Sequence, residues 1–269
     1  MSPPPAGRPE DAGPDVTVSV DGGVGIVTIR RPPHNLLTEP VLRRVADALE
    51  ELGSSARAAV LDSEGRSFCA GADFRSSDAV DPTENGGFEA RTRAFYVQAA
   101  RIYESPVPVV AAVQGAAIGA GFGLALACDV RVVGQAGWFQ ANFVRLGIHP
   151  GFALSTVLPA LIGPARTAEL FLTGRRVGAE EALAIGLASR GVAAGGELEA
   201  ALEMAGQIAA GAPLAVAATR ATLRRGLGSS VRAAMRHELA EQTALAGTAD
   251  AVEGVGAVLE GRPPHFQGR

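Results

Sequence analysis

Short β-rich runs, Ala58 to Leu61, Val107 to Val113 and Asp129 to Val133, each stand between Gly, Ser or Pro and are separated by stretches with helical spacing. Runs of that length and composition read as buried strands, and strands alternating with helices favour an α/β fold. Upstream, Val16 to Val20 and Gly25 to Ile29 flank Asp21-Gly22-Gly23, a turn chemistry that predicts a hairpin. Val41, Leu42, Val45, Leu49 and Leu52 then recur at helical spacing. Thr38 is expected to cap that helix, Pro40 is tolerated in its first turn, and Gly53 is expected to end it. Beyond Gly195 the strand signal vanishes, and Leu198 to Ala210, Pro213 to Leu227, Val231 to Ala246 and Ala249 to Leu259 all read as helices. The expected organisation is a disordered leader over 1–15, an α/β core over 16–195 and a helical region over 196–269. Ser76 to Gly87, rich in Ser, Asp, Pro, Asn and Gly, reads as a surface loop.

With 47% hydrophobic residues in 269, the chain can bury a full-sized core. Its formal net charge of −4 is too balanced for a nucleic-acid or membrane-surface binder. All 24 basic residues are arginine, which excludes a Schiff-base lysine, a P-loop lysine and a catalytic ammonium. Cys69 and Cys128 lack the spacing of a zinc site and are expected to be reduced core residues. The N-terminus, rich in Pro, Gly and acid, has no apolar targeting segment, which points to a cytoplasmic protein. The longest apolar run, Ala116 to Cys128, carries three glycines and falls short of the ~18 residues a membrane span needs.

Two segments could carry chemistry. Ser67-Phe-Cys-Ala-Gly-Ala-Asp73 follows a strand and keeps small side chains where the backbone turns, leaving amide groups accessible. Gln114 to Asp129 reads as a strand exit, a glycine-rich bend and a helix of small residues, whose first turn presents unpaired N–H groups at a positive dipole end. Should the two converge, one amide from each could bind a developing oxyanion. A dinucleotide-binding reading of Gly119-Ala-Gly-Phe-Gly is set aside, because Leu124 stands where the third glycine belongs and no acid follows near Phe139 to Phe143. Nor is there a Gly-x-Ser-x-Gly nucleophile elbow.

Phe68-Cys-Ala-Gly-Ala-Asp73, Pro108 to Gly115 followed by Gly119 to Asp129, Leu146-Gly-Ile-His-Pro-Gly151, Thr173-Gly-Arg-Arg, Glu181 to Leu187 and Arg262-Pro-Pro-His-Phe266 resemble, in that order, the enoyl-CoA hydratase/isomerase (crotonase) superfamily. The match runs from about residue 16 to 266. The resemblance implies a spiral of ββα units, C-terminal helices that build a homotrimer or a dimer of trimers, and an acyl-CoA thioester as substrate with no separate cofactor or metal. It puts the oxyanion hole on the backbone N–H groups of Ala72 and Ala120, beside Gly71 and Gly119. It implies a coenzyme A phosphate contact for Arg75 and an adenine contact, in a neighbouring subunit, for Phe266; Gln267 stands where a lysine is common.

The pattern departs where the hydratases of this family carry two water-activating glutamates: here those positions are Gly123 and Phe143. Neither side chain transfers a proton, so ordinary hydration is not expected. An atypical lyase, isomerase or hydrolase step is the expectation, and a catalytically silent acyl-CoA-binding homologue or partner subunit is the alternative. His149, Tyr96 and Asp73 are the candidate substitutes for the lost acid and base. Trp138, Phe139, Phe143 and Phe152 suggest an apolar acyl pocket, with Trp138 and Phe143 against the substrate. His34, His237 and His265 read as surface or interface residues.

Overall fold

In the computed structural model, which describes residues 14–73 and 85–269, the chain repeatedly lays one strand in a long sheet and the next in a short one. The elements in order are β1 (Val16–Asp21), β2 (Val24–Ile29), α1 (Glu39–Ser55), β3 (Ala58–Ser63), β4 (Ser67–Cys69), α2 (Asn85–Tyr103), β5 (Val109–Val113), β6 (Ala116–Ile118) and α3 (Ala120–Ala127). They continue with β7 (Val130–Gly134), β8 (Trp138–Gln140), a 3-10 turn at Phe143–Leu146, α4 (Leu154–Ile162), α5 (Pro164–Thr173), β9 (Arg176–Gly178), α6 (Ala179–Ala184) and β10 (Arg190–Val192). Four helices close the chain: α7 (Glu197–Ala209), α8 (Pro213–Leu223), α9 (Leu227–Ala246) and α10 (Ala249–Glu260). The long sheet runs β1-β2-β3-β5-β7-β10, the short one β4-β6-β8-β9. Apart from the β1–β2 hairpin and the β8–β9 pair, neighbouring strands are parallel. Each of β3β4α2 and β5β6α3 is thus a ββα step that hands the chain from one sheet to the other.

The runs at β3 and β5 are unbroken because both faces of the long sheet are covered. Ala59 and Leu61 of β3, with Val109, Ala111 and Val113 of β5, enter the main core beneath α1, α2 and α3. The alternate residues Ala58, Val60, Val110 and Ala112 face the other way, onto Ala200, Ala201, Ala205 and Ala209 of α7. The first helix of the C-terminal region therefore lies directly on the sheet. A second tie is polar: Asp129 accepts from Val109 N and forms ion pairs with Arg220 (2.9 Å) and Arg224 (2.6 Å), while those guanidinium groups also donate to Ser105 O and Tyr103 O.

Several boundaries differ from the sequence reading. Thr38 makes no side-chain cap, and α1 runs past Gly53 to Ser55, because Gly53 serves packing: a Cβ there would meet Pro106 at 2.7 Å. The strand expected from Val107 begins at Val109, and the strand expected from Asp129 covers Val130–Gly134. α8 stops at Leu223, and the chain turns through Gly226, at φ 77°, into α9. Nearly all of the expected leader, most of the Ser76 to Gly87 loop, and Arg75 lie outside the described residues. Both cysteines are free and buried, and burial pushes each thiol up to about 12. Among the described residues no single helix is long and apolar enough to cross a membrane.

Candidate active site

Parallel pairing of β4 with β6, Ser67 opposite Ala116 and Cys69 opposite Ala117, brings the exits of the two chemistry-bearing segments side by side. The approach is close: a Cβ on Gly121 would fall 2.1 Å from Cys69 O. Gly71 (φ 111°) and Gly119 (φ 54°, ψ −115°) turn the chain at these exits in conformations that side-chain-bearing residues avoid. Each hands on to an alanine. Leu37 N donates to Gly71 O and Asp73 N donates to Leu37 O, a bridge that leaves the Ala72 N–H between them unused. Ala120 is the first residue of α3, where no intrahelical acceptor exists for its N–H. The loop carrying Leu37 is itself fixed by fully buried Asn35, whose Nδ2 donates to Glu64 O and Ser67 O at 2.7 Å.

Both alanines border a cavity of about 440 Å³. Its walls are largely apolar, with Phe88 and Phe95 from α2 and Phe143, Leu146 and Phe152 from the segment after β8. Phe152 and Ala153 hold left-handed backbone at φ 62° and 59°. Glu238 of α9, itself fully buried, stabilises this bend by accepting from Ala153 N (2.8 Å) and Ser155 N (3.0 Å). Gly123 faces Phe152 so closely that a Cβ there would meet the Phe152 Cβ at 2.6 Å. Aromatic carbon thus fills the wall at both Gly123 and Phe143.

Of the expected site residues, Gly71, Ala72, Asp73, Tyr96, Gly119, Ala120 and Phe143 all border this cavity. Asp73, its side chain 14% exposed, lies 3.8 Å from the Arg31 guanidinium. Tyr96 donates its hydroxyl to Gln242 Oε1 at 2.9 Å, and Gln242 Nε2 donates to His149 O at 2.8 Å. Burial, with the Glu238 carboxylate adding to it, holds the Tyr96 phenol well above its ordinary range, so it is neutral and a proton donor.

Three aromatic residues expected near the acyl group, His149, Trp138 and Phe139, lie outside the cavity wall. His149 is not part of the cavity wall: its ring stands edge-on to His237 at 5.7 Å, with Nδ1 2.7 Å from Pro150 O. Trp138 is not in the wall either. It lies on β8, paired with Gly178 of β9, and the Arg176 guanidinium stacks over its ring at 4.1 Å. Phe139 packs on Phe122 in the core (5.3 Å). Phe266 is 43% exposed on the C-terminal tail and outside the cavity lining; the Asp250 carboxylate fixes that tail by accepting from Gln267 N and Gly268 N.

Polar residues of the cavity that were not anticipated include Glu39, Arg91, Asn142 and Gln242. Glu39 sits in the first turn of α1, where an acid is explained by the helix dipole alone. Arg91 shares a helix face with Phe88 and Phe95, a spacing that could have found it. Gln242 lies 146 residues from Tyr96, beyond any local pattern. Among the described residues no group of three or more His, Cys, Asp or Glu side chains could hold a metal ion.

The sequence profile described as Enoyl-CoA hydratase/isomerase matches residues 19–269. A probable enoyl-CoA hydratase of Rhodobacter capsulatus is 36% identical over 258 residues, 94% of this chain and 98% of that protein. The 2,3-dehydroadipyl-CoA hydratase of Escherichia coli is 32% identical, covering 95% of this chain and 99% of its own length. Among solved structures, an enoyl-CoA hydratase/isomerase from Pseudoalteromonas atlantica superposes with a TM-score of 0.83 at 30% identity, over 94% of this chain and 100% of that one. With the parallel two-sheet fold and a match across nearly the whole chain, the protein belongs to the enoyl-CoA hydratase/isomerase family, whose members act on acyl-CoA thioesters.

Proposed function

We propose that this chain stabilises the enolate of an acyl-CoA thioester through the Ala72 and Ala120 N–H groups and uses it for a lyase, isomerase or hydrolase step, with no separate cofactor. The observation that carries this reading is the pair of N–H groups without backbone acceptors at the edge of one cavity, each set by a glycine turn. In the enolising step Asp73, next to Ala72, takes the α-proton. The C–H electron pair moves onto the thioester oxygen, and the two N–H groups stabilise the charge that develops there. The proton held on Asp73 is the one available for return to carbon, which restores the carboxylate, while neutral Tyr96 stays hydrogen-bonded to Gln242 at the cavity wall. Hydration by a glutamate pair is disfavoured by the aromatic carbon packed at Gly123 and Phe143. Incubating an acyl-CoA panel with the protein in deuterated buffer tests the reading by mass spectrometry. Deuterium gained at the α-carbon supports it, and the product mass separates isomerisation, cleavage and hydration. A panel that binds without exchange sinks it in favour of the second reading, a catalytically silent acyl-CoA binder, which the same apolar filling favours.

A cytoplasmic homotrimer, or a dimer of trimers, is part of the proposal. It draws support from α8, which buries no residue in the monomer and leaves Leu214 and Leu223 87% and 81% exposed. Analytical ultracentrifugation returning a monomer would refute the assembly. In such an assembly a neighbouring subunit would offer the place for an adenine contact with Phe266.

A further inference from the structure

We propose that the acyl group taken by this cavity ends in a carboxylate, and that Arg91 is the residue that selects it. This rests on the acyl-CoA reading given above and goes on to name the substrate class. Arg91 projects from α2 into the cavity, between Phe88 and Phe95 of the same helix. Its Nη2 is buried and has no hydrogen-bond partner, although a buried guanidinium nitrogen left unpaired is costly. Arg91 forms no ion pair among the described residues.

The cavity's other charges are accounted for differently. Glu39 accepts from Gln98 Nε2 at 3.0 Å and lies 3.9 Å from Arg43, and Asp73 lies 3.8 Å from Arg31. Among the described residues each lining carboxylate therefore has a basic neighbour, while Arg91 has no acidic one. Other arginines of α2 do find partners: Arg93 pairs with Glu89, and Arg101 with Asp47 and Glu50. An arginine fork suits a carboxylate through two parallel N–H···O bonds. The aromatic residues that flank Arg91 suit a hydrocarbon chain leading to it, and they argue against placing a coenzyme A phosphate there.

The test is isothermal titration calorimetry of the full-length protein with matched pairs: glutaryl-, adipyl- and suberyl-CoA against pentanoyl-, hexanoyl- and octanoyl-CoA. The wild type is expected to favour the carboxylate-ended member of at least one pair by about tenfold or more. Arg91→Gln is expected to abolish that preference while leaving the methyl-ended ligands within about twofold of their wild-type affinity. Equal affinity for both members of every pair in the wild type overturns the proposal with no variant needed. A uniform loss across both members in R91Q also overturns it, assigning Arg91 to the coenzyme A phosphates. Failure of every ligand to bind the wild type would instead bring down the acyl-CoA reading, and this proposal with it.

Discussion

The place where a Cβ would stand on Gly123 lies 2.6 Å from the Cβ of Phe152, well inside van der Waals contact. Phe152 cannot simply swing away, because its left-handed backbone is locked by the Glu238 bond to Ala153 N and its ring packs edge-on to Phe95 at 6.0 Å. Restoring a glutamate at this position alone therefore overpacks the wall. Gly123→Glu is expected to lower stability by about 1–3 kcal/mol or more and to add no water to crotonyl-CoA, measured by urea denaturation and by loss of enoyl absorbance. Hydration by this variant would show that the wall is softer than its packing indicates.

Ala120 allows removal of a backbone donor with little harm to the fold, since it is the first residue of α3, a position proline favours. Ala120→Pro deletes the N–H. Exchange of the α-proton is expected to fall about 10²–10³-fold, while the far-ultraviolet circular dichroism and melting curve stay close to wild type. Unchanged exchange would take the Ala120 amide out of the proposed oxyanion hole.

His149 and Asp73 make opposite predictions. Asp73→Asn is expected to reduce α-proton exchange by about 10²–10⁴-fold, whereas His149→Ala leaves it unaltered because the ring lies outside the cavity wall. Glu39→Gln is the control for the second lining carboxylate. The same exchange assay, run on all three variants, ranks them directly.

Asp62 on β3 gives a stability signature with pH. Burial, with Glu64 and Glu197 nearby, raises its carboxyl from 3.8 to about 6. The folded state thus holds this proton more tightly than the unfolded chain, so the group's stabilising contribution is complete below about pH 4 and is lost as pH rises through about 6. Asp62→Asn removes the titration and is expected to stabilise the protein by about 2–3 kcal/mol at neutral pH, with the gain fading below about pH 4. Urea denaturation across that range measures it, and a pH-independent difference would exclude the linkage.

Asp129 joins β5 to α8 and the turn beyond it through Arg220 and Arg224. Asp129→Ala leaves both guanidinium groups without their carboxylate. A loss of about 3 kcal/mol is expected, read as a shift in the urea midpoint, and a shift of a few tenths would mean that the bonds to Ser105 O and Tyr103 O suffice.

The long sheet was legible because its strands, buried on both faces, are apolar without interruption, as at Ala58 to Leu61. Strands of three residues such as Ser67–Cys69 and Ala116–Ile118 carry no period to detect and exist through their pairing with each other. The two glycine turns that meet at the cavity edge could be read because small residues in a turn are a local signal. Position relative to a cavity is not local: His149 and Trp138 were plausible by neighbourhood in the sequence, yet His237 and Arg176 draw their rings elsewhere. Gln242 and Glu238, which hold Tyr96 and the Phe152 bend, come from a helix whose amphipathic pattern gave no hint of that reach.

Because Glu238 and Gln242 lie on α9, the cavity wall is finished by residues more than a hundred positions along the chain from the glycine turns it faces. A chain that has formed both sheets and the glycine turns at Gly71 and Gly119 without α9 still has an unsupported bend at Phe152 and an unanchored Tyr96. Competence to hold a ligand in this cavity therefore waits until α9 docks against the bend.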